Sequence, residues 1–518
     1  MSTMSRPKSG ARSPDDELAP ELATGHLDAD LGRRSRRGGA LLLGAQAVRV
    51  VGQLATLVVL ARLLPPQAFG LLAMVAAIGV VLDFLKELGL SSAAIQKTDL
   101  TQGQVSALFW INAAAGLLLA GALALAAPAL AHFYGQPELV DVTRWLALGF
   151  ALSGLTVQHW ALLRRQMRFT AIAGLETAAD YAGFVAAIAV ALAGEGYWAL
   201  VVQRLVSPAV LLVGSWSVCR WRPARPARAE GVGALLRYGL SVTGAGVATA
   251  LSRSFDQILI GWLWGPVTLG LYERTSRLLM LPINTINAPV YAAGMPALSR
   301  LVEQPERYRR MFGQIVQKLG LLTMPAFAVA AVVADWLVEI LLGPAWREAV
   351  PLAALFSVSA TSLPVLMCMG LLYLTQARTT EMLRATLADA ALCLLAIAAG
   401  LPWGAVGVAA SLAIAGLAVR TPVAFWLATR HGPVRQPDVW RAVAPPLTVA
   451  IAAAVTGLAV RAVLPPGISV PSVATVGAAV LLAMLLVLLA WPETRREMRS
   501  GAHHLAILVR RRRPVLEP

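Results

Sequence analysis

The stretch LARLLPPQAFGLL (Leu60–Leu72) returns in outline as IGWLWGPVTLGLY (Ile260–Tyr272), 200 residues further along the chain. Leu63, Pro66, Gly70 and Leu71 fall on Leu263, Pro266, Gly270 and Leu271. Both copies have one build: an apolar run, a break carrying Pro and Gly, and a second apolar run. Proline lacks the amide that a helix interior needs but suits a helix start, so each copy reads as helix, turn, helix. FYGQPEL (Phe133–Leu139) faces LLGPAWR (Leu341–Arg347) in the same way, each opening the fourth helix of a six-helix set. The chain therefore reads as two parallel copies of one helical unit, an architecture known from transporters.

The runs on either side of these breaks are long. A bilayer core of roughly 30 Å takes about 20 apolar residues per helix. Of the 518 residues 57% are hydrophobic and 14% charged, with a mean hydropathy of +0.66. A soluble surface needs about 25% charged residues. The runs also lack the period-2 alternation of a barrel strand. The expected fold is an all-α polytopic membrane protein with about fourteen transmembrane helices. Spans are placed at 39–63, 70–95, 104–131, 139–163, 170–193, 197–219, 234–263, 268–297, 311–342, 349–375, 380–400, 404–429, 440–463 and 470–491.

Grouped by the repeat, these give a disordered cytoplasmic tail at 1–38 and an N-lobe at 39–219. A basic, Pro-rich linker at 220–233 leads to a C-lobe at 234–429. Two appended helices follow at 430–491, then a basic cytoplasmic tail at 492–518 that could lie on the membrane as an amphipathic helix. The linker is long enough to let the lobes rock, with a passive connection as the plainer description.

The net charge of +16 tests the layout. With these spans, Lys and Arg crowd the tails and alternate loops, while the opposite loops hold only Arg144 and Arg347. That is the positive-inside pattern, and it puts both termini in the cytoplasm. Spread over short loops, the charge does not make the basic face a nucleic-acid partner requires. Cys219, Cys368 and Cys393 lie far apart with no metal-binding or disulfide spacing, and no cofactor is expected.

Several stretches are similar to the polysaccharide-transporter branch of the multidrug/oligosaccharidyl-lipid/polysaccharide exporters. They are LARLLPPQAFGLLAM (Leu60–Met74), ELGLSSAAIQKTDLTQGQ (Glu87–Gln104) and LRRQMRF (Leu163–Phe169). LSRSFDQILIGWLWGPVTLGLYERTSRLLMLP (Leu251–Pro282) and GMPALSR (Gly294–Arg300) extend the likeness over residues 40 to 430. The family motif has Asp where Glu87 stands. The resemblance implies a two-lobe fold that exports undecaprenyl-diphosphate-linked sugar repeats across the bacterial inner membrane by alternating access. It also implies a lipid-linked oligosaccharide substrate, with a polysaccharide polymerase and export machinery as possible partners. A lipid II-type precursor flippase and a multidrug exporter share that fold and remain as alternatives. A membrane polymerase or glycosyltransferase fits less well, because the external loops are short and no DxD or HxxxE pair occurs at a membrane face.

Charges inside a membrane cost roughly 2.5–3.5 kcal/mol or more, so those retained are site candidates. Arg49, Arg253, Arg274, Arg277 and Arg420 are expected to line a cavity for a diphosphate, since guanidinium offers forked donors to phosphate oxygens. Asp83, Lys86, Glu87 and Asp256 are expected to gate or couple transport, with simple packing ion pairs as the competing reading. Asp180 and Asp389, on the fifth helix of each lobe, are secondary candidates.

Overall fold

A computed structural model describes residues 31–87, 101–225, 232–464 and 469–490, and among them only helices, turns and loops occur. Most of the two expected tails and residues 226–231 of the linker lie outside the described residues. The protein is an all-α polytopic membrane protein. Ten helical stretches among the described residues are long and apolar enough to cross a bilayer, or eleven when one bent pair counts as a span.

The chain divides into two compact units, Met1–Gly270 and Leu271–Pro518. In the first, α1 (Leu31–Leu63) starts ahead of the expected first span, so the RRSRR stretch at 33–37 is helical. Arginine is a good helix former, and nothing there stops the helix. Pro66 opens α2 (Pro66–Glu87). A capping box between Thr101 and Gln104 starts α3 (Gln102–Tyr134), and Gly135, at φ 64°, ends it. α3 crosses α4 (Leu139–Gly154) with backbones nearly touching: a Cβ on Gly116 would sit 2.7 Å from the Phe150 carbonyl oxygen. A Cβ on Gly154 would likewise sit 2.8 Å from the Asn112 carbonyl oxygen. Small residues permit such close crossings between membrane helices.

The expected fourth span is broken, α4 giving way at Leu155–Thr156 to α5 (Val157–Arg165) with a bend of 40°. The Thr156 hydroxyl donates to the Leu152 carbonyl, and the Trp216 indole donates to the Leu155 carbonyl. Hydroxyl groups that compete for helix carbonyls loosen a helix in this way. The unit continues through α6 (Phe169–Leu192) and α7 (Trp198–Val218) into α8 (Val232–Ser299). α8 is two helices joined at Gly265, whose φ 76° and ψ −175° belong to a region open essentially to glycine alone.

Unit two holds the end of α8, then α9 (Pro305–Val332) and α10 (Ala334–Leu341). The tenth expected span is also broken, into α11 (Val350–Ala360) and α12 (Leu363–Thr375). Thr361 and Ser362 bond back to Val358 and Ser359 there, ahead of Pro364. α13 (Thr379–Gly400) folds back on α14 (Gly404–Ala415), with Gly400 against Gly407 and Ser411. α15 (Thr421–Thr429), α16 (Gln436–Val463) and α17 (Val470–Ala490) complete the chain. The core of this unit runs from Tyr308, Phe312 and Val316 on α9 through Cys368 and Leu371 on α12 to Val439 and Val443 on α16. Large apolar side chains such as Leu118, Leu125, Leu395 and Val463 lie on the outside, as a lipid-facing surface requires.

Candidate functional site

The charged residues buried in the helices are mostly spoken for. On α1, Arg49 ion-pairs with Glu176 and donates from Nε to Asp180 at 3.1 Å, both acids being on α6. Tyr181 donates its hydroxyl to the Val48 carbonyl beside them and packs on Gly52. Glu176 and Asp180 are i,i+4 neighbours on one helix face, so a single guanidinium reaches both. One cation against two carboxylates gives the cluster a formal charge of −1.

Arg420 makes a forked pair with Asp389 on α13, Nε to Oδ1 at 2.8 Å and Nη2 to Oδ2 at 2.8 Å. The arginine closes a π-helical turn, Gly416–Arg420, between α14 and α15. The Thr421 hydroxyl donates to the Gly416 carbonyl in that turn. Such wide turns recur where a helix must present a side chain at an unusual angle.

Lys86 bonds Asp83 at 2.8 Å and lies 5.8 Å from the Phe150 ring. Asp256 accepts the Gln257 backbone amide at 2.8 Å. Arg274 is buried, whereas Arg277 is 51% exposed and meets Glu273 at a single 3.2 Å contact. The side chains of Glu87 and Arg253 lie outside the described residues. Arg49, Asp83, Lys86 and Asp256 belong to the first unit; Arg274, Arg277 and Arg420 belong to the second.

Two groupings escape the sequence reading. Arg461 on α16 forks onto Asp335 at 2.8 and 2.6 Å, bonds the Val332 carbonyl and covers the Trp336 ring. This ties the appended helix to the α9–α10 corner, and only the apolar setting of Arg461 hints at it. Glu381 binds both Arg378 at 2.7 Å and His431 at 3.1 Å.

The turns before α6 and α13 share one device. Met167 and Ala377 both sit in the left-handed region, at φ 53° and 55°. That costs a non-glycine residue on the order of 1 kcal/mol or more. Arg168 and Arg378 follow them, with φ/ψ of −80°/52° and −90°/50°. Arg168 donates to the Val218 carbonyl at 3.1 Å, and Arg378 donates to the Ala428 carbonyl at 3.2 Å. Both carbonyls end the sixth span of their set, where orphan acceptors and the helix dipole favour a cation.

The linker begins as a docked strap. Trp221 is 2% exposed, packs on Phe109 and His159, and donates to the Gln102 side chain at 2.6 Å. Trp110 donates to the Ala224 carbonyl, and the Ala224 amide donates to the Ser106 hydroxyl. Among the described residues no group of three or more His, Cys, Asp or Glu could hold a metal ion.

Against known proteins, the chain is 27% identical over 276 residues to the teichuronic acid biosynthesis protein TuaB of Bacillus subtilis, covering 53% of this chain and 57% of that protein. It is 24% identical over 333 residues to the lipopolysaccharide biosynthesis protein WzxC of Escherichia coli, covering 63% and 67%. With the succinoglycan biosynthesis transport protein ExoT of Rhizobium meliloti it shares 27% over 304 residues, covering 59% and 62%. The chain thus spans 57 to 67% of the length of these relatives. In fold it is similar to the lipid II flippase MurJ in an inward closed conformation, with a TM-score of 0.70 over 87% of this chain and 98% of that one, at 11% identity. An inward-facing multidrug transporter of the MATE family follows at 0.55 over 78% and 99%, at 14% identity. The profile described as "Polysaccharide biosynthesis protein" matches residues 59–351, which is more than half of the sequence and includes both copies of the opening repeat. The chain belongs to the polysaccharide biosynthesis protein family.

Proposed function

We propose that this protein is a flippase that carries undecaprenyl-diphosphate-linked oligosaccharide repeat units across the bacterial inner membrane by alternating access. Family membership carries the reading, since relatives named for teichuronic acid, lipopolysaccharide and succinoglycan biosynthesis differ in polymer but are each similar to this chain. In this reading the fourteen spans form two six-helix lobes with two appended helices, and both termini are cytoplasmic. A polymerase on the outer leaflet takes the product, and the chain itself transports rather than catalyses.

The arginines divide by how firmly each is already held. Arg420 is itself largely buried and has a forked partner, and Arg49 has two acids, so a diphosphate would have to displace strong pairs. Arg277 has one contact in an exposed setting, worth about 0–1 kcal/mol, and can exchange its carboxylate for a phosphate cheaply. The diphosphate is therefore assigned first to Arg277; for Arg253 and Arg274 the expectation rests on the sequence alone. Arg49 and Arg420 hold helices together, and Asp83, Lys86, Glu87 and Asp256 serve the gating side.

The test uses the full chain in vesicles loaded with a fluorescent undecaprenyl-diphosphate oligosaccharide. The intact protein should carry it to the opposite leaflet. Arg277→Ala and Arg253→Ala should abolish movement while the protein still inserts, and Lys at either position should restore only part, having lost the fork. An intact protein that moves lipid II or a drug cation but not this lipid would overturn the assignment.

A further inference from the structure

The turns that open α2 and the second half of α8 interlock. A Cβ on Gly70 would collide with the Pro266 carbonyl group and sit 2.8 Å from the Pro266 Cα. A Cβ on Gly270 would collide in the same way with the Pro66 carbonyl group, 2.8 Å from its carbon and 3.0 Å from the Gly70 nitrogen. The contact is reciprocal, with each turn laying its proline carbonyl against the other's glycine, as in a self-complementary interface between two copies. These are the residues matched by the 200-residue repeat, and all of them lie within the first compact unit. Around them Ala68, Phe69, Leu71 and Leu269 are buried. Beside them Phe133 stacks on Trp262 at 5.6 Å and 9°, and Gly261 packs against Met74 and Tyr134.

We infer that this clasp is the external gate of the transporter, closed in this structure; the assignment rests on the flippase reading above. The charge pattern puts both turns on the outer side. Backbone lies on backbone here, so closure is tight because nothing wider than a hydrogen stands between the turns. It is also cheap to undo, because dispersion and Cα–H···O contacts hold it and each is individually weak. A gate that must open in every cycle needs both properties. Any side chain at position 70 or 270 is a wedge: ordinary van der Waals contact needs 3.4–4 Å, and the partner atoms are main chain that cannot swing aside.

The experiment places a single reporter, Ala68→Cys, in a chain whose Cys219, Cys368 and Cys393 are replaced by Ala. A membrane-impermeant maleimide is added to intact cells. Labelling should be slow in the parent and at least ten-fold faster with Gly70→Ala or Gly270→Ala. Gly121→Ala should leave it unchanged, because a Cβ there meets nothing within 4 Å. Phe133→Ala, which removes the ring stack but leaves both turns intact, should also raise labelling, so the inference survives a wedge variant that fails to insert. Parent-level labelling in the inserted wedge variants and in Phe133→Ala overturns the gate and leaves the flippase reading standing. Raised labelling, in a protein whose parent moves no lipid-linked oligosaccharide in vesicles, supports the gate and sinks the flippase reading instead.

Discussion

Removing Arg420 separates a structural role from a substrate role. The Arg420–Asp389 pair is forked at 2.8 Å on both arms, with the arginine side chain 15% and the aspartate 39% exposed. Breaking a fully buried pair costs about 3–5 kcal/mol, and breaking an exposed one about 0–1. With one partner buried and the other more than a third exposed, an intermediate loss of about 2 kcal/mol is expected for Arg420→Ala or Asp389→Ala. For a unit of this size that corresponds to a fall of about 4–8 °C in the midpoint of heat unfolding. The double variant Arg420→Met, Asp389→Leu removes both charges together and should return to within about 1 kcal/mol of the parent. The assay heats detergent-solubilised protein and measures the surviving monomer, with transport in vesicles scored in parallel. The double variant should regain both stability and transport. A double variant as unstable as the worse single would refute the pairing argument. One that is stable but inert would show that the Arg420–Asp389 pair serves transport beyond holding the helices.

Trp221→Ala should cost about 3–5 kcal/mol, because it empties the aromatic cluster that docks the linker, and this is read as a lower heat-unfolding midpoint. Trp110→Phe loses only one exposed bond, to the Ala224 carbonyl, and should cost about 1 kcal/mol. For sidedness, Glu138→Cys should label with impermeant reagent on intact cells, and Arg225→Cys only after permeabilisation; the reverse pattern would invert the assigned orientation. A silent Cys219 would carry no weight, since its side chain is fully buried.

Helix ends were the most legible part of this sequence. Pro66 and the Gly135 turn each act through the backbone of their own few residues, so local pattern suffices. The intramembrane charges were legible as candidates, because any charge in lipid needs a reason. Their partners were not. Nothing along the chain says that Arg49 will meet Glu176 as well as Asp180, or that Arg461 will find Asp335, because those pairings arise only when helices far apart in sequence pack. The breaks within the fourth and tenth spans were hidden for another reason. The tenth is free of charges, the fourth keeps its charges, Asp141 and Arg144, near its start, and the hydroxyls of Thr156, Thr361 and Ser362 that loosen them look ordinary in a membrane helix. The linker read as a passive connection because its Arg and Pro outweigh Trp221, the residue that docks it.

The recurrence of the Gln-x-Arg turn bears on which parts of each set can move. Gln166–Met167–Arg168 and Gln376–Ala377–Arg378 share Gln and Arg, and with them a strained left-handed residue in the middle and an arginine reaching the end of the sixth span. A strained conformation persists only where its surroundings hold it. The turn between the fourth and fifth spans is thereby fastened to the sixth in both sets, and these three spans behave as one block at that end. In the second set the fastening is doubled, because Arg378 also donates to the His431 carbonyl and pairs with Glu381. The first two spans of each set have no such left-handed turn among the described residues, and Arg49 ties the first span of the first set to α6 within that same set. Their shared contacts, the glycine–carbonyl clasp and Gly261 against Met74, are undone by a small separation. Motion between the copies therefore has least to break at the 66–70 and 266–270 turns, and it should leave the Arg168 and Arg378 straps intact throughout a transport cycle.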